Sequence, residues 1–430
     1  MTAHRTRRAA ALALLLLLPA AARAQAGYAS FQAFLDSLEA VAARPDAAAR
    51  EAGLDAIWSD LRAAGQVPFR HGDRAAFLYR SAAAPASVAV AGDHTGWQPN
   101  APLRRLGASS LWLREDTLPD SARIDYKLVV GGTWILDPAN PHQQWSGFGP
   151  NSELRMPAWR PSPDTAPRAG APRGTLSAPV TMPSAAYGAP VVYRVYTPAG
   201  YAEGAARLPV LYVTDGHEYA DDRLGALSVV LDNLVADGRA APALVVYIDP
   251  RYGGQNRRQQ QYVQNPGFAA FVATELVPAI DAAYRTRADR DGRVILGTSL
   301  GGVFATYLGL EHPDVFGRLA VQSPAYWVTE SAQWWSGPSL FERVAAAPEG
   351  LFRITLSAGT INDGAANARR MRDLLAARSH AITYRETAEG HSWGQWRALL
   401  PEVLAQLVPG PAVTDAEDAP VRSGLRLEAR

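Results

Sequence analysis

The stretch VILGTSLGGVFA, residues 294–305, sets Ser299 among glycines, with an apolar run before it and an apolar segment after it. In a sheet flanked by helices, G-x-S-x-G between a strand and a helix forms a sharp turn that lifts the serine hydroxyl above the strand ends. Its glycines are required because a side chain there would strike the neighbouring strand and helix. Here residues 293–296 read as the strand, Gly297, Thr298, Ser299, Leu300 and Gly301 as the turn, and Gly302 onward as the helix. The start of that helix offers unpaired N–H groups and a partial positive charge, which favour an oxyanion. The competing reading makes Ser299 only a helix cap, and the strand-turn-helix context favours a nucleophile.

A serine hydroxyl is a weak nucleophile at neutral pH, so a base, and a group that orients the base, must follow. In this architecture they come in the order Ser, Asp or Glu, His, each after a later strand. The strand-like RITLSAG is followed by TIND, which gives Asp363; AITYRET is followed by AEGHSWGQW, which gives His391. His312 and His380 compete less well because neither follows a late strand. Asp363 competes with a helix-capping role, and Glu386 and Glu389 stand as alternative acids. The second oxyanion donor is expected after an earlier strand, in PVLYVTDGHEYADD, where the N–H of Gly216 or His217 would join that of Leu300. His217-Glu218 begins like H-E-x-x-H, but position 221 is Asp. A metal at Asp215, His217, Asp221 and Asp222 is therefore set aside, and no cofactor is expected.

Around this centre, apolar β-branched runs alternate with helical stretches from VVYRVYTP to AITYRET, the pattern of a mostly parallel sheet covered on both faces. Upstream, short alternating runs such as ASVAVAG, LWLRED and RIDYKLVV, separated by turn residues, predict a small all-β sandwich over 65–157. A helical lead-in over 25–64 precedes it, with periodic Phe31, Phe34, Leu35 and Leu38. A Pro- and Ala-rich linker over 158–176 follows it, the catalytic domain is expected over 177–410, and residues 411–430 read as a disordered tail. The N-terminus carries Arg5, Arg7 and Arg8, an apolar run from Ala9 to Leu18, and Ala22-Arg23-Ala24. That is the pattern of a signal peptide over 1–24, cleaved near Gln25, and it predicts a periplasmic or secreted protein without a stable membrane anchor. A net charge of +1 gives no electrostatic case for nucleic acid, and the absence of Cys excludes disulfides and thiol chemistry.

The motifs VYRVYTPAGY, LPVLYVTDGHEY, VVYIDPR, RRQQQY, RVILGTSLGG, HPDVFGRLAVQSPAYW and GHSWGQWRALLPEVL, in this order, resemble the esterase D and enterochelin-esterase branch of the α/β-hydrolases, which includes carbohydrate esterase family 1. The resemblance covers roughly residues 174 to 408 and implies Ser299, Asp363 and His391 as the triad. It departs at Gln261, where the family shows an acid that pairs with the position of Arg258; the expected consequence is a guanidinium free for solvent or substrate. AVAGDHTGWQP, RIDYKLVVGGTWILDPANP and GPNSEL resemble the immunoglobulin-like family 48 carbohydrate-binding modules. That resemblance implies a glycan partner held by Trp97, Lys127, Trp134 and Asn151, Lys127 being the only lysine of the chain. Trp97 as a core residue, and a domain that shapes the active site instead, remain open readings. Trp327, Trp334 and Trp335 are expected in a cap loop that holds the substrate, and Trp393 and Trp396 against the His391 loop.

The resulting fold class is multidomain: an immunoglobulin-like sandwich followed by an α/β-hydrolase domain with a mostly parallel sheet. The function expected is an exported serine carboxylic-ester hydrolase working through an acyl-enzyme on acyl or feruloyl esters of polysaccharides. The alternatives are an esterase of enterochelin-type trilactone siderophores and, in another class, a glycan-binding protein with an inactive hydrolase domain. The partner is thus a small-molecule or oligosaccharide ester.

Overall fold

The computed structural model describes residues 27–410; the expected leader and tail lie outside the described residues. The larger half is organised by a nine-stranded sheet. Its strands Leu244–Asp249, Val210–Val213, Arg293–Thr298, Arg318–Gln322, Arg353–Gly359 and Ala381–Thr387 are parallel neighbours in that spatial order. Val191–Thr197 joins antiparallel beside Leu244–Asp249 and carries the short strands Thr175–Leu176 and Val180–Met182. Side chains alternate between faces with period two. Val210, Tyr212 and Ile295 enter one core, with Val303 and Phe304 of helix Leu300–Glu311; Leu211, Val213, Val294 and Leu296 enter the other, with Leu227, Leu231 and Leu400. Because both faces are covered, Arg293–Thr298 is buried along its whole length, which is why its sequence shows no polar alternation.

Two more sheets build the N-terminal half. One has the order Phe69–His71, Arg74–Arg80, Leu111–Thr117, Arg104–Arg105; the other contains Ala101–Pro102, Val88–Gly92, Arg123–Val130, Gly149–Arg155 and Gln143–Ser146, with Thr133–Ile135 paired to Arg123–Val130. Ala75 and Phe77 of the first sheet meet Val90, Ile124 and Leu128 of the second. The alternate residues Ala76 and Leu78 face the other way, into a core with Phe34, Leu38, Leu54 and Leu61. Those four lie on helices Phe31–Ala42 and Ala47–Ala63, which start at the side-chain caps Ser30 and Asp46. The helical pair expected as a lead-in is thus a third packed layer, without which one face of the first sheet would stand in water.

The segment expected as a Pro- and Ala-rich linker over 158–176 is likewise docked. Buried Asp164 accepts from Arg239 at 2.7 Å, Asn233 Nδ2 donates to the Asp164 and Ala166 carbonyls at 2.8 and 2.9 Å, and Arg168 pairs with Asp237 at 2.8 Å. Composition does not reveal such ties, because they are polar and long-range while the segment itself has no apolar period.

Candidate active site

Arg293–Thr298 runs straight into the turn, and Ser299 sits there at φ 56°, ψ −120°. A non-glycine residue in that region is strained, and such strain persists only where the surroundings over-determine it. They do here: a Cβ on Gly297 would overlap the Gly301 carbonyl, and one on Gly301 would overlap Thr214 Oγ1. The Ser299 N–H donates to Gln322 O at 3.0 Å, which anchors the turn to the next parallel strand.

Asp363 follows strand Arg353–Gly359, and His391 follows Ala381–Thr387. The two side chains are hydrogen-bonded, His391 Nδ1 to Asp363 Oδ1. The other carboxylate oxygen accepts from the Gly359 N–H and from Ser323 Oγ, both at 2.5 Å. Trp396 packs edge-on against the imidazole, ring centroids 4.9 Å apart, and its Nε1 donates to Ser323 Oγ at 2.9 Å. Asp363 is fully buried while His391 stays 38% exposed, so the imidazole is held on one side and open on the other. The rival acids are engaged elsewhere, Glu386 with Arg369 at 2.6 Å and Glu389 with Arg123 at 3.4 Å.

Ser299 and His391 line one cavity of about 650 Å³, with Trp393 and Trp396 in the same wall. Leu300 N–H begins helix Leu300–Glu311 and Gly216 N–H begins Gly216–Tyr219, so neither has an intrahelical acceptor. His217 lines the cavity; Gly216 and Leu300 contribute no side chain to its wall. A Cβ on Gly216 would overlap the Tyr247 backbone, so this turn too needs glycine. Burial lowers the His217 pKa, with Asp249 3.4 Å away opposing, which keeps the ring neutral at pH 7. Burial pushes the Glu218 carboxyl up to about 7, reinforced by the charge on Asp215.

Two placements differ from the sequence reading, and a third agrees with one of the alternatives it left open, a domain that shapes the active site. Arg258 lines the cavity, yet its guanidinium is not free: Nε donates to fully buried Asp215 at 2.8 Å and Nη2 to Thr298 O at 3.2 Å. Arg258 thus pairs with Asp215, 43 residues before it in the chain, in place of an acid at position 261. Trp327, Trp334 and Trp335 are absent from this wall; Trp327 packs edge-on to Trp334 at 5.7 Å, and Trp335 Nε1 donates to Pro338 O. Conversely Trp97, Lys127, Trp134 and Asn151 all line the same cavity as Ser299, so the N-terminal half supplies one of its walls. Within that wall Trp97 Nε1 donates to Asp93 at 3.0 Å and Asn151 Nδ2 to Asp125 at 3.2 Å. Sequence reasoning missed Ser323, Arg251 and Phe148, and it weighed Asp215 and Glu218 only within a metal motif that it set aside. Only Ser323 carried a signal, its position after the strand RLAVQ in line with the other strand ends.

A serine on a strand-to-helix turn of a parallel sheet and a histidine bonded to an aspartate line one cavity, an arrangement suited to nucleophilic hydrolysis. The chain belongs to the Esterase family, which matches residues 184–407. It is 28% identical over 217 residues to an endo-1,4-beta-xylanase/feruloyl esterase of Xylanibacter ruminicola, covering 48% of this chain and 29% of that protein. It is 31% identical over 212 residues to the iron(III) enterobactin esterase of Escherichia coli, covering 47% of this chain and 50% of that one. The chain thus aligns with half or less of the length of either relative. Among solved structures, the enterobactin esterase of Shigella flexneri crystallised in the presence of enterobactin superposes with a TM-score of 0.65 at 23% identity, over 78% of this chain and 92% of that one.

Proposed function

We propose that the protein is an exported serine carboxylic-ester hydrolase, built as an immunoglobulin-like sandwich on an α/β-hydrolase domain. The observation that carries the reading is that Ser299 and His391 line one cavity while His391 is bonded from behind to Asp363. In this mechanism Ser299 Oγ attacks the ester carbonyl and His391 Nε2 takes its proton. Asp363, bonded to Nδ1, holds the ring and stabilises the imidazolium. The N–H of Leu300, with that of Gly216 or His217, receives the oxyanion. His391 then returns the proton to the leaving alcohol, and water resolves the acyl-enzyme by the same route in reverse. The leader pattern at residues 1–24 supports export.

The aromatic side chains of Trp97, Trp134, Trp393 and Trp396 around the cavity, with Lys127 and Arg251 among them, favour an ester bearing a planar ring and polar substituents. Feruloyl esters of polysaccharides meet that description. A glycan bound by the N-terminal half would be the alcohol side of the same substrate, because its four candidate residues face the catalytic cavity. One observation favours trilactone siderophores as a second reading: the likeness to the Shigella enterobactin esterase spans 78% of the chain, more than residues 177–410 alone provide. Turnover of p-nitrophenyl acetate, a feruloylated arabinoxylan oligosaccharide and ferric enterobactin, by the wild type and by Ser299→Ala, tests the proposal. Hydrolysis of at least one by the wild type, lost in the variant, is expected; a fully active Ser299→Ala enzyme would sink the mechanism.

A further inference from the structure

Behind the cavity, where the two halves of the molecule meet, lies a cluster of buried charge centred on Arg123. Its side chain is 1% exposed and reaches carboxylates on both sides of the boundary. Nη2 donates to Asp125 at 2.7 Å and Nε to Glu153, both in the N-terminal half. Nη1 crosses the boundary to Glu389 at 3.4 Å and to Ser392 Oγ at 2.9 Å. Those two residues flank Gly390 and His391. The backbone follows the same path: Arg123 N–H donates to Ala388 O at 3.1 Å, and Arg123 bridges Glu389 in parallel register.

The Asp363 loop is tied to the same place. Asn362 Nδ2 donates to Asp93 O at 2.8 Å, Asp93 Oδ2 accepts from Asp125 N–H at 2.8 Å, and Ile361 N–H donates to Glu389 O at 3.1 Å. The approach is so close that a side chain at either of two glycines would displace a member of the cluster. A Cβ on Gly390 would overlap the Asp93 carboxyl group, and one on Gly394 would overlap the Arg123 guanidinium.

From this geometry we infer that Arg123, a residue of the N-terminal half, is a positioning residue for His391, setting the 388–392 loop so that the imidazole, bonded to Asp363, is presented to the cavity that Ser299 lines. Arg123 does not line the cavity and touches no reacting atom; it acts through Glu389 and Ser392. A guanidinium suits the task because its planar fork can satisfy four partners in fixed directions, which an ammonium on a flexible stem cannot. The N-terminal half is then part of the catalytic apparatus whatever ester is used. The inference rests on reading Ser299, Asp363 and His391 as the triad, and it assigns Arg123 a role which that reading leaves empty.

The test uses the full chain with Arg123→Lys, Glu389→Gln and Ser392→Ala, the last two keeping the Arg123 side chain in place. Turnover of p-nitrophenyl acetate, thermal unfolding, and the rate and final extent of Ser299 labelling by a fluorophosphonate are measured. Small displacements of a reacting group cost up to about 100-fold in rate, so each variant is expected to lose about fivefold to 50-fold in kcat, with KM within about twofold. Labelling should slow by the same factor yet still reach one probe per chain, which a fold-level defect would not give. Ser299→Ala is run alongside, and its continued turnover would overturn the triad reading itself. If Ser299→Ala is dead while Glu389→Gln and Ser392→Ala keep wild-type kcat and labelling rate, the positioning role of Arg123 is overturned. A loss confined to KM, or to the fraction of folded protein, overturns it as well.

Discussion

Glu218 stands in the cavity wall with its side chain 18% exposed, and its carboxyl is raised to about 7, first by burial and then by Asp215. The folded protein therefore holds a proton on this group over a range in which the unfolded chain, titrating near 4.5, has released it. The protonated form's contribution to stability is complete below 4.5 and is lost as pH rises through about 7. A shift of that size is worth up to about 3 kcal/mol. Glu218→Gln should remove this component, so wild type minus variant unfolding free energy should fall between pH 4.5 and 7.5; a flat difference in urea titrations would refute it. Asp363→Asn makes a second prediction at this scale. Gly359 N–H and Ser323 Oγ hold the amide oxygen, so the amide nitrogen faces His391 and donates to Nδ1, which selects the wrong tautomer, and kcat should drop by about 1,000-fold to 10,000-fold with little loss of fold. The places of Ser299, Asp363 and His391 in the fold were legible in the sequence because each signal is local: a residue placed just after a strand. The partner of Arg258 was not, because Asp215 reaches it only through the fold, and neither was the wall position of Phe148 at a hairpin tip.

At the scale of elements, the turn between Arg293–Thr298 and Leu300–Glu311 works only if strand, helix and the neighbouring Thr214 approach more closely than a side chain allows. The atom that a Gly297 methyl would strike is a backbone carbonyl at the start of a buried helix, so it cannot swing aside. Gly297→Ala should therefore cost on the order of 3 kcal/mol and lower the urea midpoint, with p-nitrophenyl acetate turnover falling even where the chain stays folded. An unchanged midpoint would mean that the helix can shift. The parallel strands were readable because burial on both faces leaves continuous apolar runs. The roles of Phe31–Ala42 and Ala47–Ala63 were not, since a helix's apolar stripe announces that it packs without saying on what. The docked segment at 158–176 escaped for the opposite reason: its ties through Asp164, Arg168 and Asn233 are polar and leave no period.

For the whole molecule, the question is whether the two halves fold as one unit or as two. Apolar packing lies mainly within each half, with Ile361 and Ala388 reaching across to the N-terminal core, whereas the buried charge at the boundary is Arg123 with Asp125, Glu153 and Glu389, beside the docked segment. Burial works against the charge on Arg123, but the three carboxylates more than offset it and raise its pKa; Glu389 is itself raised by burial, with Arg123 opposing. A buried ion cluster of this kind adds little net stability over an apolar substitute, yet losing its cation strands carboxylates in a dry interface at about 3–5 kcal/mol. Since some of those carboxylates belong to one half and some to the other, the loss falls on the coupling between them. Wild-type protein is therefore expected to unfold in a single urea transition, coincident by far-UV circular dichroism and by tryptophan fluorescence, whose eleven reporters include Trp97 and Trp134 on one side of the cavity and Trp393 and Trp396 on the other. Arg123→Met should lower the midpoint and separate the two signals, with fluorescence changing first as the halves part and expose the cavity they share. Two separated transitions already present in the wild type, or a single undisturbed one in Arg123→Met, would show that the boundary does not couple the halves.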